Sequence, residues 1–223
     1  TAAVGPAGEI YATWSTVWHS QRIWLNRSLD GGLTWLHNDL RVADIPSGEF
    51  RQGSWLSWPV VAVDRSGGPH HGRVYVAWER YSLGFGRVDL AWSDDHGDHW
   101  SEPVRVDRFE DATDSDKAWV VVDDRGRVHV TYRLRRFALG GSLRAEYLAT
   151  STDGGVTFGP SIRISDDLYR YRPGGDYHQP VAVGNRLHAI WGDARFGDND
   201  VFTQSIDLDD FDEPFAAAPP AVA

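Results

Sequence analysis

The sequence predicts an all-β fold assembled from repeated four-stranded antiparallel units. Three observations lead there. One eight-residue turn sequence recurs along the chain. Short β-rich apolar runs flank each copy. Gly- and Asp-rich turn signals separate the runs.

The octet is clearest in Ser28-Leu29-Asp30-Gly31-Gly32-Leu33-Thr34-Trp35 and in Ser151-Thr152-Asp153-Gly154-Gly155-Val156-Thr157-Phe158. A looser copy is Ser93-Asp94-Asp95-His96-Gly97-Asp98-His99-Trp100, and a decayed one begins at Ser205-Ile206-Asp207. The starts lie 65, 58 and 54 residues apart, a period that marks an array of like supersecondary units. Each octet has hairpin chemistry. Asp bonds backbone N–H groups two residues on, and Gly tolerates the positive φ of a tight turn. Ser and Thr hydroxyls close further local bonds. The last aromatic offers a large apolar face to its sheet. A catalytic or calcium-binding role for these aspartates is unnecessary, because the pattern accounts for itself as a turn.

Ser-x-Asp-x-Gly-x-Thr-Trp is the Asp box, or bacterial neuraminidase repeat. Over residues 1–206 the chain therefore resembles the sialidase-like Asp-box β-propellers. The resemblance is carried by Ser28, Asp30, Gly32, Thr34 and Trp35; by Ser93, Asp95, Gly97 and Trp100; and by Ser151, Asp153, Gly155, Thr157 and Phe158. It speaks for architecture more than for activity, since one fold hosts many functions.

The elements follow in order. Unit one (1–45) has runs at Ala2-Ala3-Val4, Ile10 to Trp14, Arg22 to Arg27 and Leu40-Arg41-Val42. Unit two (55–107) has Pro59 to Asp64, Arg73 to Trp78, Val88 to Trp92 and Pro103 to Val106. Unit three (117–165) has Ala118 to Val122, Arg127 to Tyr132, Ala145 to Thr150 and Ser161 to Ile164. Unit four (178–206) has Pro180 to Val183, Arg186 to Trp191 and Asp200 to Ile206, with no obvious fourth run. Residues 207–223 are acidic, then Ala/Pro-rich, and read as a tail. About four blades result, whereas Asp-box families commonly close with six. A piece of a longer propeller, two copies sharing a ring and a four-bladed ring all stay open. The decayed fourth unit and the abrupt start inside a first strand favour a partial ring.

With 223 residues, 41% of them hydrophobic, and eleven Trp, the chain can fill a sizeable core. It has no run of eighteen apolar residues, so no transmembrane helix is expected. A net charge of -10 argues against nucleic acid as a partner. Among 22 cationic residues Lys117 is the sole lysine, which reads as bidentate carboxylate binding or, more simply, as a GC-rich genome. The absence of Cys excludes disulfides and thiolate metal sites and suits an exported bacterial protein. The opening Thr1-Ala2-Ala3 suggests a processed or truncated N-terminus. The expected location is secreted or cell-surface, and the expected partner is a glycan, with self-association completing the ring as a further option.

Blade topology places the 2–3 loops and the blade-to-blade 4–1 connections on one face, where long loops gather function. The 2–3 loops are 15–21, 79–87, 133–144 and 193–199. The 4–1 connections are 43–57, 107–117 and 165–179. Arg, Tyr, Trp, Asp and His crowd there, among them Trp18, His19, Asp114, Asp116, Arg135, Tyr169, Arg172, Tyr177 and His178. Flat aromatics suit the apolar side of a sugar ring, and guanidiniums suit a carboxylate. Glu79-Arg80-Tyr81 sits at a strand end, which holds side chains well. Asp193-x-Arg195 is its counterpart in unit four, and an ion pair shaping the loop is its simpler reading. His96 and His99 with Asp95 and Asp98 have metal-like spacing but lack an obvious third ligand. Asp193, Asp198, Asn199 and Asp200 are oxygen-rich and open a calcium option, without EF-hand spacing. No cofactor is otherwise expected.

The resemblance implies three arginines on a substrate carboxylate, an acid/base Asp, and a Tyr nucleophile activated by a Glu. The family's Phe/Tyr-Arg-Ile-Pro motif for the first arginine is absent. Tyr171-Arg172-Pro173 and Phe50-Arg51-Gln52 only approach it. No catalytic role follows by motif match. The candidates are Arg51, Arg133, Arg172 and Arg195 as clamps, Asp114 or Asp116 as acid, and Glu79 with a nearby tyrosine such as Tyr81 as the nucleophile pair. Trp55, Arg80, Tyr177, His178 and Asp193 complete the candidate binding set. A lectin-like module and a structural or protein-interaction propeller are the alternatives.

Overall fold

The computed structural model describes residues 1–16, 21–45, 58–82, 85–108, 114–138, 141–170 and 178–209. These form four antiparallel sheets in chain order. The first is β1 (Ala2–Val4), β2 (Ile10–Ser15), β3 (Gln21–Ser28) and β4 (Leu40–Ile45). The second is β5 (Val60–Val63), β6 (Val74–Ser82), β7 (Phe85–Ser93) and β8 (Val104–Arg105). The third is β9 (Asp114–Val122), β10 (Val128–Ala138), β11 (Gly141–Ser151) and β12 (Ile162–Arg163), with β13 (Tyr169–Arg170) also paired to β11. The fourth is β14 (Val181–Val183), β15 (Arg186–Asp193) and β16 (Asp200–Asp207). Among the described residues no helix is long and apolar enough to cross a membrane.

Strand alternation welds each sheet to the next. In β6, Val74, Val76 and Trp78 point to the first sheet and pack with Tyr11, Ile23 and Leu25. Tyr75 and Ala77 point the other way, into a core shared with Val128, Val130, Tyr132 and Ala149 of the third sheet. Leu148 of the third sheet packs with Leu187, Ala189 and Trp191 of the fourth. Side chains of opposite parity on one strand therefore serve two different cores. This is why the runs are apolar at nearly every position instead of alternating.

The octet does what its residues dictate. Ser28 Oγ donates to Asp30 Oδ1 at 2.7 Å and accepts from Gly32 N at 2.8 Å. Asp30 accepts from Thr34 N at 2.9 Å and from Thr34 Oγ1 at 2.6 Å, and these bonds hold its carboxyl down at about 2. Ser151, Asp153, Gly155 and Thr157 repeat the set at matching distances. In the looser copy His99 replaces Thr, and its Nδ1 lies 2.6 Å from Asp95 Oδ2. His96 takes the first-Gly position at φ 62° and its Nδ1 meets the Tyr11 hydroxyl at 2.7 Å. The metal option for this pair thus gives way to local bonding.

Each turn also abuts the sheet before it. A Cβ on Gly155 would stand 3.1 Å from Tyr75 Cε1, and one on Gly97 would stand 3.2 Å from Leu25 Cδ2. Phe158 is 3% exposed, within the core that joins the second and third sheets. Arginines add a polar latch. Arg27 donates to His96 O at 2.7 Å, Arg73 to Gly154 O at 2.8 Å, and Arg127 to Leu208 O at 2.5 Å.

Several sequence expectations change. The 79–87 and 133–144 segments are strands over most of their length, so Glu79, Arg80, Tyr81 and Arg133 lie on strands and not in loops. Cross-strand pairing continues to Ser82↔Phe85 and Ala138↔Gly141. The expected 165–179 connection contributes β13 to the third sheet. The first strand of unit three starts at Asp114 rather than Ala118. A fourth strand for unit four is not found among the described residues.

Ser151→Ala leaves the buried Gly155 N–H without its acceptor. It is expected to lower unfolding free energy by about 1–3 kcal/mol, read as a lower urea midpoint at unchanged m value.

Candidate functional site

One end of the third sheet carries a dense charged layer. On β10, Val128, Val130, Tyr132 and Leu134 face the second sheet. Arg133 and Arg135 take the opposite parity. Register aligns Arg133 with Asp116 of β9 and Glu146 of β11, and Arg135 with Asp114 and Arg144. Tyr169 of β13 pairs with Arg144. Two Asp, three Arg, one Glu and one Tyr are thus brought together by strand pairing, with a register shift in β9 between Thr131 and Arg133.

The contacts are specific. Arg133 Nε and Nη2 donate to the two Asp116 oxygens at 2.6 and 2.8 Å, a bidentate pair. Arg135 pairs with Asp114, whose Oδ1 also accepts from Gly86 N of the second sheet at 2.8 Å. Tyr169 Oη donates to Glu146 Oε1. Glu146 Oε2 lies 3.1 Å from His178 Nδ1, just ahead of the fourth sheet. Asp114, Arg133, Arg144, Glu146, Tyr169 and His178 are all buried. Glu79 reaches this layer from β6 and accepts the backbone N–H of Lys117. Lys117, at φ 57°, lies in the β-bulge between the pairs Thr131↔Trp119 and Arg133↔Asp116.

Burial sets the protonation. Desolvation pushes the Glu79 carboxyl up to about 7, with the Asp116 charge adding to it. Burial also opposes ionisation of Asp116, but Arg133 outweighs it and holds that carboxyl below the usual range. The same ion pair outweighs burial at Arg133 and raises its affinity for the proton. Arg144 falls to about 10 through burial and the nearby Arg133. Burial pushes the Tyr169 phenol up, and the charge of Glu146 pushes further, so the phenol is protonated at rest.

The sequence candidates divide. Glu79, Asp114, Asp116, Arg133 and His178 converge here. Arg51, Trp55, Arg172 and Tyr177 lie outside the described residues, as do Trp18 and His19. The side chain of Tyr81 is outside them too. Arg80 does not join: it follows Glu79 and has opposite parity, and its Nε lies 3.1 Å from Asp89. Asp193 and Arg195 form a separate unit. Arg195 Nε meets Asp193 at 2.7 Å, Nη1 meets Asp166 at 2.5 Å, and the guanidinium stacks 4.2 Å from the Phe202 ring centroid. The loop-shaping reading therefore accounts for the pair. Asp193 is committed to Arg195, which weakens the calcium option. Among the described residues no group of three or more His, Asp or Glu could hold a metal.

Glu146 and Arg144 were missed. Their signal was present, because charged residues at alternate positions interrupt the apolar run Leu143 to Ala149. A strand interior tolerates that only when partners face it.

No family model matches the chain. A sialidase of Micromonospora viridifaciens is 33% identical over 149 residues, which is 63% of this chain and 20% of the relative. The chain thus spans about a fifth of that relative's length. A protein of unknown function from Dyadobacter fermentans superposes with a TM-score of 0.61 at 19% identity, over 98% of this chain and 62% of that one. The alpha-L-arabinanase of Penicillium chrysogenum, complexed with arabinobiose, gives 0.53 at 13% identity over 93% and 74%. A family 117 glycoside hydrolase from Zobellia galactanivorans gives 0.54 at 15% over 91% and 64%. These likenesses show the fold, an all-β one of propeller type with antiparallel four-stranded sheets.

Because Glu79 binds its proton more tightly folded than unfolded, its contribution to stability is full below about 4.5 and is lost as pH rises through about 7. Glu79→Gln keeps an acceptor for Lys117 N. Urea midpoints measured from pH 4 to pH 8 are expected to fall less steeply in this variant than in the parent over that window.

Proposed function

We propose that this chain is a glycan-directed, sialidase-like hydrolase module, with Tyr169 and Glu146 as nucleophile and base. The carrying observation is the hydrogen bond from the Tyr169 hydroxyl to a Glu146 carboxylate, beside three arginines on one sheet face. This replaces the pairing of Glu79 with Tyr81. The Micromonospora sialidase supports the reading as a relative over part of its length.

The chemistry fits the geometry. A sugar that carries its own carboxylate repels an anionic nucleophile, so a neutral phenol attacks better. As Tyr169 Oη bonds the anomeric carbon, its proton passes to Glu146 Oε1. His178, on the other Glu146 oxygen, fixes that carboxylate. Glu79 suits the acid role better than Asp116, because its affinity matches neutral pH while Arg133 holds Asp116 ionised. Glu79 gives its proton to the leaving oxygen as the glycosidic bond breaks. Arg133, Arg135 and Arg144 supply the positive field for the substrate anion.

A second reading rests on a specific observation as well. Asp116 and Asp114 already occupy Arg133 and Arg135. A site whose guanidiniums are neutralised internally suits a catalytically degenerate carbohydrate binder, the lectin-like alternative. We place the protein outside the cell or on its surface, where such glycans are displayed.

Sialic acid release from a mixed panel of sialylated glycans, followed by mass spectrometry, separates the two readings. The hydrolase reading expects release that falls by roughly 100-fold or more in Tyr169→Phe and Glu146→Gln. It also expects a rate that declines as pH rises through about 7, where Glu79 loses its proton. No release from the folded chain, with glycan binding retained, supports the binder.

A further inference from the structure

The second sheet carries a charged face of its own, turned away from the third sheet. In β6, Val74, Val76 and Trp78 pack with Ile23 and Ile45 of the first sheet, and Arg80 continues their parity. Arg80 pairs across with Arg87 of β7, and Trp78 with Asp89. Asp89 pairs in turn with Arg105 of β8. Trp78, Arg80, Arg87, Asp89 and Arg105 therefore share one side of the sheet. Phe85 has the parity of Arg87 and Asp89, so it stands at the tip of the same side.

Positive charge and hydrogen-bond donors are in excess there. Arg80 and Arg87 stand directly opposite each other, an arrangement that repels. Asp89 is buried and meets both through one oxygen: its Oδ2 lies 3.1 Å from Arg80 Nε and 3.6 Å from Arg87 Nε. The second distance is too long for a hydrogen bond. Arg105 Nε lies 3.1 Å from Asp107, which also accepts Val88 N. Arg87 Nε and Trp78 Nε1 are buried, and among the described residues neither has an acceptor. The third-sheet layer differs, since Arg133 there holds Asp116 through both of its oxygens. Above the buried donors, the Arg80, Arg87 and Arg105 side chains remain 23%, 28% and 45% exposed.

We propose that this face of the second sheet is a second ligand site, which binds the carboxylate or sulfate group of an acidic glycan. The oxyanion lies among the guanidinium tips of Arg80, Arg87 and Arg105 and supplies the acceptor that the face lacks. Phe85, 36% exposed, offers its ring to the apolar side of the sugar. In a chain of net charge -10, a local excess of cations is what lets an anionic ligand approach. The site is separate from the charged layer of the third sheet. Glu79 precedes Arg80 in β6 and so points to the other side of the sheet. Binding here requires no catalysis by Tyr169 or Glu146.

The test follows the indole N–H resonances of the full chain by proton–nitrogen NMR, with the Trp78 signal identified by its loss in Trp78→Phe. Four probes are titrated: a tetrasaccharide of alternating glucuronate and N-acetylglucosamine, its sulfated counterpart, a neutral chitin tetrasaccharide, and inorganic sulfate. The expected result is a saturable shift of the Trp78 signal with an acidic tetrasaccharide and none with the neutral one. A response to both acidic sugars assigns the carboxylate, and a response to the sulfated one alone assigns the sulfate ester. Arg87→Gln and Arg105→Gln are each expected to raise the dissociation constant by roughly 10-fold or more, with the urea midpoint little changed. Tyr169→Phe is expected to give the same shift as the parent, which separates this site from the proposed catalytic pair. An unmoved Trp78 signal with both acidic sugars overturns the proposal. Equal affinity for inorganic sulfate and the sulfated sugar overturns the glycan assignment, and undiminished binding in both arginine variants overturns the placement of the site.

Discussion

The structure depends on one constraint: both faces of a middle sheet must be buried. The third sheet meets it asymmetrically. Its face toward the second sheet is apolar along its length, through Val128, Val130, Tyr132 and Leu134. Its other face is apolar only where Leu148 meets Leu187 and Trp191. Beyond that point it carries Arg133, Glu146 and Arg144. Those charges are desolvated, so each needs a partner, and β9 supplies Asp116 and Asp114 in register. One end of the sheet thereby carries a buried layer of paired charges.

The scaffold and the charged layer are linked through Lys117. Its backbone takes a left-handed conformation in the β9 bulge, and Glu79 of the neighbouring sheet accepts its N–H. A non-glycine residue in that region costs energy and persists only when its surroundings hold it there. The bulge shifts register between Thr131 and Arg133, and this brings Asp116 opposite Arg133. Glu79 therefore belongs to the site in two ways. It braces the bulge that aligns the main ion pair, and its own proton affinity is set by Asp116 and by burial.

Much of the fold was legible in the sequence because the octet writes its own hydrogen bonds. Ser28, Asp30, Gly32 and Thr34 bond one another within five residues, so no tertiary information is needed to read them. The site was only half legible. Asp114, Asp116, Arg133, Glu79 and His178 stood out as polar residues at blade ends, but their partners are set by register. Glu146 and Arg144 looked like ordinary strand residues until pairing placed them opposite Arg133 and Arg135. The assignment of 133–144 to a loop failed for a related reason. Leu134, Leu143 and Ala145 keep strand alternation going beneath the charges, and buried partners outweigh the local preference of Arg for solvent. Arg80 erred in the other direction, since adjacency to Glu79 in sequence means opposite faces in a strand.

Attack by the Tyr169 hydroxyl on an anomeric carbon, as proposed, would leave the sugar covalently bound to that residue. Incubation of the protein with a fluorinated sialosyl fluoride, followed by peptide mass spectrometry, examines that bond directly. An adduct on the peptide containing Tyr169, absent in Tyr169→Phe, is the predicted result. A mass increment on any other residue, or an unlabelled chain that still releases sialic acid, would contradict it.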